Sequence, residues 1–188
     1  LNRMGYRVEV FEKDDEVGGL LRYGIPDFKL NKNVIDRRLN ILMEEGISFR
    51  TNVEVGKDIS ANDLMHSFDA ICLAIGAREP RDLKIPGREL KGIHFAMDFL
   101  SHQNKLVQKQ SPNGSPDIYA KNKHVVVIGG GDTGSDCVGT ANRQGAQSVT
   151  QLEILPKPNK AKNHNPNWPW PQKNLKTSSY HEEGCNHM

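Results

Sequence analysis

Apolar positions along the chain fall into two patterns. Short runs of β-branched and aromatic residues read as strands, and longer stretches with apolar side chains three and four apart read as helices. Residues 1–4 and Gly5 predict the last turn of a helix with a glycine stop, and Arg7 to Phe11 alternates as a strand ending at Glu12. The glycine-rich stretch from Val17 to Leu30 contains Pro26 and predicts neither helix nor strand. Asn31 predicts a cap for a helix with Val34, Ile35, Leu39 and Leu42 on its apolar face and a stop at Gly46. A strand from Ile47 to Val53 follows. Ser60 to Asp63 starts a short helix in capping-box style, with Asp63 where Glu or Gln is commoner. Ala70 to Ile75 predicts a buried parallel strand ended by Gly76-Ala77, at the edge where open α/β sheets bind ligands. Ile93, Phe95, Ala96, Phe99 and Leu100 predict an amphipathic helix, after a crossover from Arg78 to Gly92 and before a polar loop at Ser111 to Pro116.

The sharpest pattern comes next. The apolar run His124 to Ile128 feeds into Gly129-Gly130-Gly131-Asp132-Thr133-Gly134, glycines at G-x-G-x-x-G spacing. A helical pattern through Cys137, Val138 and Ala141 then runs to a stop at Gly145. Gly129 permits the turn, Gly131 lets backbone approach a pyrophosphate, and Gly134 lets the helix pack closely on the strand. Unpaired N–H groups and the helix dipole favour an anion at this place. Asp132 reads as the helix N-cap. A second strand, Val149 to Leu155, carries Glu153 nineteen residues beyond Gly134, where an acid can bind a ribose diol. A glycine turn without a ligand is the plainer alternative, but the complete strand, turn, helix and strand favour a dinucleotide.

Arg3-Met4-Gly5, a strand and Glu12 repeat the order of Arg143-Gln144-Gly145, a strand and Glu153. The expected fold class is therefore α/β with two Rossmann-like units, the first incomplete at its N-terminus because its opening strand and glycine turn lie upstream of Leu1. Within Val17 to Leu30, bare backbone can lie against a flat ligand while Arg22 or Lys29 meets phosphate. The chain reads as a piece of a longer protein.

Charge adds exclusions. Among 188 residues, 25 basic and 23 acidic side chains are interspersed for a net charge of +2, which implies no nucleic-acid surface. No apolar run reaches membrane-spanning length and no signal pattern opens the chain, so a cytoplasmic setting is expected. Cys72, Cys137 and Cys185 fit neither a disulfide framework nor a metal or iron–sulfur site, and Cys72 and Cys137 read as small buried apolar groups. His181, Glu182 and Glu183 stand consecutively in a polar stretch and read as solvated charges. Residues 157–188 form a Pro-, Asn- and Lys-rich loop or tail that includes Trp168-Pro169-Trp170-Pro171.

Five motifs carry a family resemblance: Val8-Glu9-Val10-Phe11-Glu12, Val17-Gly18-Gly19-Leu20-Leu21-Arg22-Tyr23-Gly24-Ile25-Pro26, Ala74-Ile75-Gly76-Ala77, Val126 to Gly134, and Thr177-Ser178-Ser179-Tyr180-His181-Glu182-Glu183-Gly184. Over essentially all of its length the chain resembles the small (beta) subunit of glutamate synthase. That resemblance implies a partial FAD-binding domain over residues 1–90, an NAD(P)-binding Rossmann unit over 91–156, and the loop or tail beyond. It implies that NAD(P)H reduces FAD and that electrons pass through iron–sulfur clusters, held upstream of this chain, to a large subunit that makes glutamate. By the same resemblance Glu12 binds the FAD ribose, Gly19 and Leu20 lie along the cofactor, and Lys29 faces its phosphates. Val53 meets the adenine, Ile75 and Gly76 border the flavin, and Gly129, Gly130, Gly131, Asp132, Thr133 and Gly134 hold the pyrophosphate of NADPH or NADH. Glu153 without neighbouring arginines leans toward NADH, although Lys157 or Lys160 could contact a 2′-phosphate. Hydride transfer requires no side-chain acid or nucleophile, in keeping with a chain that offers no catalytic triad. The isolated chain is expected to hold neither cofactor tightly and to be inactive. Two alternatives stay open: a related flavin reductase of the dihydropyrimidine dehydrogenase or ferredoxin-NADP reductase kind, and a nucleotide-binding module without catalysis.

Overall fold

The computed structural model describes residues 1–108, 118–154 and 178–187. The loop expected at Ser111 to Pro116, Leu155, the two lysines and the Trp-Pro pairs lie outside them. Residues Asn2–Met4 make a single 3-10 turn closed by Gly5 in the left-handed region at φ 90°. Glu9–Phe11 (β1) and Ser48–Arg50 (β2) then pair in parallel, with Val10 opposite Phe49. The crossover that parallel pairing requires contains two helices, Gly19–Tyr23 (α1) and Asn33–Glu44 (α2).

The α1 helix corrects the expectation that Val17 to Leu30 holds no helix. Its glycines sit at the start, with Gly18 and Gly19 at positive φ, and Pro26 falls beyond its end. Leu20, Leu21, Arg22 and Tyr23 can therefore complete a turn, and the Leu20 carbonyl accepts from the N–H groups of Gly24 and Ile25 at 2.9 and 2.8 Å. Buried Lys32 fastens the loop that follows by donating from Nζ to the carbonyls of Leu21 and Leu30 at 3.0 and 3.1 Å, and burial lowers its pKa. Asn31 caps from one residue further out than usual, accepting from the Asn33 N–H at 3.0 Å.

Ala61–Ser67 (α3) begins with the capping box read from the sequence. Ser60 Oγ accepts from the Asp63 N–H at 3.1 Å, and the Asp63 carboxylate accepts from the Ser60 N–H at 3.3 Å. Asp at this position reaches far enough to close the box.

Ala70 to Ile75 is not a strand. An apolar run becomes one only when its N–H and C=O groups find a ladder neighbour, and none of the described strands pairs with it. Leu73 and Ile75 stand 79% and 78% exposed, and Cys72 is exposed rather than buried.

Ala96–Val107 (α4) buries Leu100 and directs Asn104 at α1, where its Nδ2 donates to the carbonyls of Tyr23 and Ile25 at 2.9 and 3.1 Å. His124–Ile128 (β3) and Ser148–Leu152 (β4) form a parallel ladder over their full lengths, crossed by Asp132–Arg143 (α5). The β4 strand stops earlier than the sequence pattern predicts, so Glu153 lies just past its end. One sheet face meets α5: Val138, Ala141 and Val149 form the core with Ala120, edged by Phe99, Val125, Val127 and Cys185. On the other face Val126 and Ile128 are exposed.

Residues 178–187, expected within a polar loop or tail, instead form Ser179–Glu182 (α6) and Asn186–His187 (β5), and β5 adds to β4 in parallel. Tyr180 reaches Phe28 edge to face at 5.0 Å between ring centroids, over Gly139 of α5, where a Cβ would sit 3.0 Å from each ring. Among the described residues no helix is long and apolar enough to cross a membrane, and no His, Cys, Asp and Glu group could hold a metal ion.

Candidate functional site

The turn between β3 and α5 is shaped by one carbonyl. Gly129 adopts φ 121°, and its oxygen turns inward beneath the helix, where Gln151 Nε2 donates to it at 2.8 Å. A Cβ on Gly134 would lie 2.2 Å from that same oxygen, so glycine is required there by the close approach of helix and strand that the spacing predicts. A Cβ on Gly131 would meet nothing within 4 Å. The turn therefore opens outward at Gly131 and closes inward at Gly129. By helix geometry the N–H groups of Asp132, Thr133 and Gly134 lack intrahelical acceptors, and the positive end of the α5 dipole adds to them. These features fit a pyrophosphate.

One expectation about this turn changes. Asp132 is not the N-cap. Gly131 takes that place with extended backbone, and Asp132 is the first helical residue, making no capping bond. Its carboxylate still favours the helix dipole. Glu153 folds back on the turn, so that a Cβ on Gly130 would lie 1.7 Å from its Oε2. The acid and the glycine turn are thus in direct apposition.

Behind the turn, α6 is connected by a series of polar contacts. His181 Nε2 lies 2.8 Å from Gln151 Oε1, and His181 Nδ1 accepts from the Ser178 N–H at 3.0 Å. Ser178 Oγ lies 2.8 Å from Ser135 Oγ on the first turn of α5. Glu183 pairs with Arg143 through both carboxylate oxygens at 2.9 Å. Glu182 and Glu183 are exposed, Glu183 in a surface ion pair with Arg143, whereas His181 is engaged within the protein, which corrects its reading as a solvated charge. The sequence offered no sign of this, because Gln151 reads only as the polar residue of an alternating strand.

A second group gathers where β1 and β2 end. Val53 donates from its N–H to the Glu12 carbonyl at 3.0 Å, which sets these two residues side by side. Glu12 Oε1 accepts from the Asp14 N–H at 3.0 Å, and Arg78 bridges the carboxylates of Glu12 and Asp14, the latter through two guanidinium nitrogens. Asp14 is the first cause of the raised Arg78 pKa. Arg78 follows Gly76 by two residues and Ile75 by three, so the chain that carries those residues is pinned to the Glu12 corner. Gly76 has φ 66°. Gly19 and Leu20 open α1, with Leu20 63% exposed.

The two cations of the glycine-rich stretch are committed elsewhere. Arg22 is buried, donates to the Val17 carbonyl at 2.8 Å and pairs with Glu16 and Asp36, so it is not open to phosphate. Lys29 Nζ lies 2.9 Å from the buried Asp136 carboxylate on α5, and that bond raises its pKa. Cys137, beside Asp136, has its thiol pushed up to about 12 by burial.

Comparison with known proteins follows the same lines. The family model described as pyridine nucleotide-disulphide oxidoreductase matches residues 31–168. The chain is 51% identical over 187 residues to a glutamate synthase [NADPH] small chain of Mycobacterium tuberculosis, covering 98% of this chain and 38% of that one. It is 50% identical over 174 residues to a glutamate synthase [NADH] of Schizosaccharomyces pombe, covering 92% of this chain and 8% of that one. It thus spans well under half the length of these relatives. Among solved structures, FprA of Mycobacterium tuberculosis in complex with NADPH is similar with a TM-score of 0.60 at 25% identity, over 77% of this chain and 36% of that one. Its parallel strands, glycine turn and crossover helix make a Rossmann-type fold, and the chain belongs to the pyridine nucleotide-disulphide oxidoreductase family.

Proposed function

We propose that this chain is the nucleotide-handling part of a glutamate synthase small subunit, with residues 1–90 serving FAD and 91–156 serving NAD(P)H. The role in the whole protein is electron input: hydride from NAD(P)H to FAD, then delivery through iron–sulfur clusters outside this chain to a large subunit that makes glutamate. The observation that carries the reading is the β3–α5 turn, with its carbonyl drawn inward at Gly129 and open space at Gly131 beside uncapped helix N–H groups. Gly129, Gly130, Gly131, Asp132, Thr133 and Gly134 would hold the pyrophosphate, and Glu153 the ribose. Glu12 and Val53 would hold the adenosine end of FAD, while Gly19, Leu20, Ile75 and Gly76 would line its length. The exposure of Leu20 and Ile75 supports that assignment, since a flat apolar ring would cover such side chains. The relatives' names include both NADPH and NADH, and Glu153 favours NADH through its affinity for a ribose diol.

The test is anaerobic titration of the full-length protein. It should be yellow as purified and lose that colour with NADPH or NADH. A protein without flavin, or one whose flavin stays oxidised under excess of both nucleotides, overturns the reading. The likeness to FprA, an oxidoreductase solved in complex with NADPH, favours a second reading, an NADPH-dependent reductase with a different electron acceptor. Glutamate formation from 2-oxoglutarate and glutamine by the assembled protein separates the two.

A further inference from the structure

We propose that His181, acting through Gln151, is a positioning residue for the nucleotide's pyrophosphate. It holds the Gly129 carbonyl inward so that the turn presents only N–H groups to the anion. The proposal rests on the nucleotide reading of that turn.

The direction of each hydrogen bond follows from the chemistry of the groups. A backbone N–H can only donate, so His181 Nδ1, 3.0 Å from the Ser178 nitrogen, is the acceptor. In the neutral ring the proton then resides on Nε2, which donates to Gln151 Oε1 at 2.8 Å. With its oxygen so engaged, Gln151 must turn its amide nitrogen to the Gly129 carbonyl, where it donates at 2.8 Å. Gln151 is 3% exposed, so bulk water cannot freely replace this chain of bonds.

The receiving end is the weak point of the turn. Gly129 lies at φ 121°, in a region open to glycine, and a glycine peptide is less restrained than any other against rotation. If its carbonyl rotated outward, a partial negative charge would face the pyrophosphate. Ser178 also meets Ser135 at 2.8 Å, so α6 anchors the turn both at its entry and just after Gly134. This assigns a task to the Thr177 to Gly184 motif that its family resemblance did not supply.

Two amide substitutions in the full-length protein separate positioning from mere helix capping. In H181N the side-chain oxygen can accept from the Ser178 N–H, but the amide is too short to reach Gln151. In H181Q the amide can reach Gln151. NADPH and NADH oxidation is measured for both variants, with flavin content and melting temperature recorded alongside. H181N is expected to raise the nucleotide KM about tenfold with kcat nearly unchanged, the loss of one oriented hydrogen bond. H181Q should stay within about threefold of wild type, and Q151L, which removes the far end of the relay, should match H181N. The reverse order, with H181N near wild type and H181Q impaired, assigns His181 to capping alone and overturns the proposal. So does an unchanged KM in H181N or Q151L, or a fall in kcat and flavin content without a change in KM. If the wild-type protein oxidises neither nucleotide, the nucleotide reading itself fails, an outcome distinct from failure of the relay.

Discussion

The β3–β4 region and the segment from Ala70 to Ile75 have nearly the same apolar vocabulary and opposite fates. In the first, five residue pairs form a full ladder, α5 covers one face, and Val138 and Ala141 are completely buried. In the second, no described strand lies alongside and the apolar side chains point into open space. An apolar run thus carries the capacity to be a strand, whereas a neighbour with free N–H and C=O groups decides whether it becomes one. Ile75 of this segment, like the exposed Leu20 of α1, is assigned to the flavin, so a ligand is expected to supply part of the missing cover.

The largest effect should fall on the ordered side of that contrast. Gly134→Ala places a methyl group 2.2 Å from the Gly129 oxygen, so either α5 must shift or the carbonyl must leave Gln151 and rotate outward. A loss of about 3 kcal/mol is expected in chemical denaturation of the full-length protein, with nucleotide binding lost as well. A variant as stable as wild type would mean that helix and strand are further apart than described. Leu100→Ala should cost a similar amount, about 3 kcal/mol, because Leu100 is 2% exposed. Ile75→Ala should cost less than about 0.5 kcal/mol in flavin-stripped protein and should show itself as faster flavin loss instead. Equal costs for the two alanines in stripped protein would reveal that Ile75 is buried by protein, and the contrast would dissolve.

What could be read from the sequence follows the same division. The capping box at Ser60 and Asp63, the glycine stops and the need for glycine at Gly134 are local, encoded within a few residues of where they act. They were legible. The α1 helix was missed because the glycines that argued against it lie at its start, where they do least harm. The Ala70 to Ile75 strand was over-read because a pattern cannot name its partner. The His181 to Gln151 contact spans thirty residues and the Lys29 to Asp136 pair spans 107, and both are decided by how segments fold back on one another. The glycine turn was legible as a binding device, but its polar support behind the sheet was not.

A smaller effect probes the corner below α1. The Tyr23 hydroxyl donates to Asp15 Oδ1 at 2.6 Å and accepts from the Glu16 N–H at 3.1 Å. Tyr23→Phe is expected to cost about 1 kcal/mol at neutral pH. The hydrogen bond from Tyr23 is the first cause of a lowered Asp15 pKa. A lowered folded value means that its contribution is full above the unfolded pKa, about 3.9, and is lost as pH falls through the folded one. Wild type and variant should therefore differ by a constant amount down to roughly pH 4 and converge below it. Divergence toward acid would contradict the assigned direction of the bond.

The smallest change in stability is expected at Gly130, and it sharpens the comparison from the side of function. A methyl group there would overlap the Glu153 carboxylate, the far end of a flexible side chain, rather than backbone. Gly130 is outside the positive-φ region, so alanine meets no backbone strain. Gly130→Ala should therefore change stability by less than about 0.5 kcal/mol. It must nevertheless push the carboxylate off the turn, and with it the group proposed to bind the ribose diol. The ratio of KM values for NADH and NADPH should then shift severalfold in favour of NADPH, because a displaced acid no longer holds the diol or repels a 2′-phosphate. An unchanged ratio with intact stability would remove Glu153 from nucleotide selection and leave the glycine turn to bind both nucleotides alike.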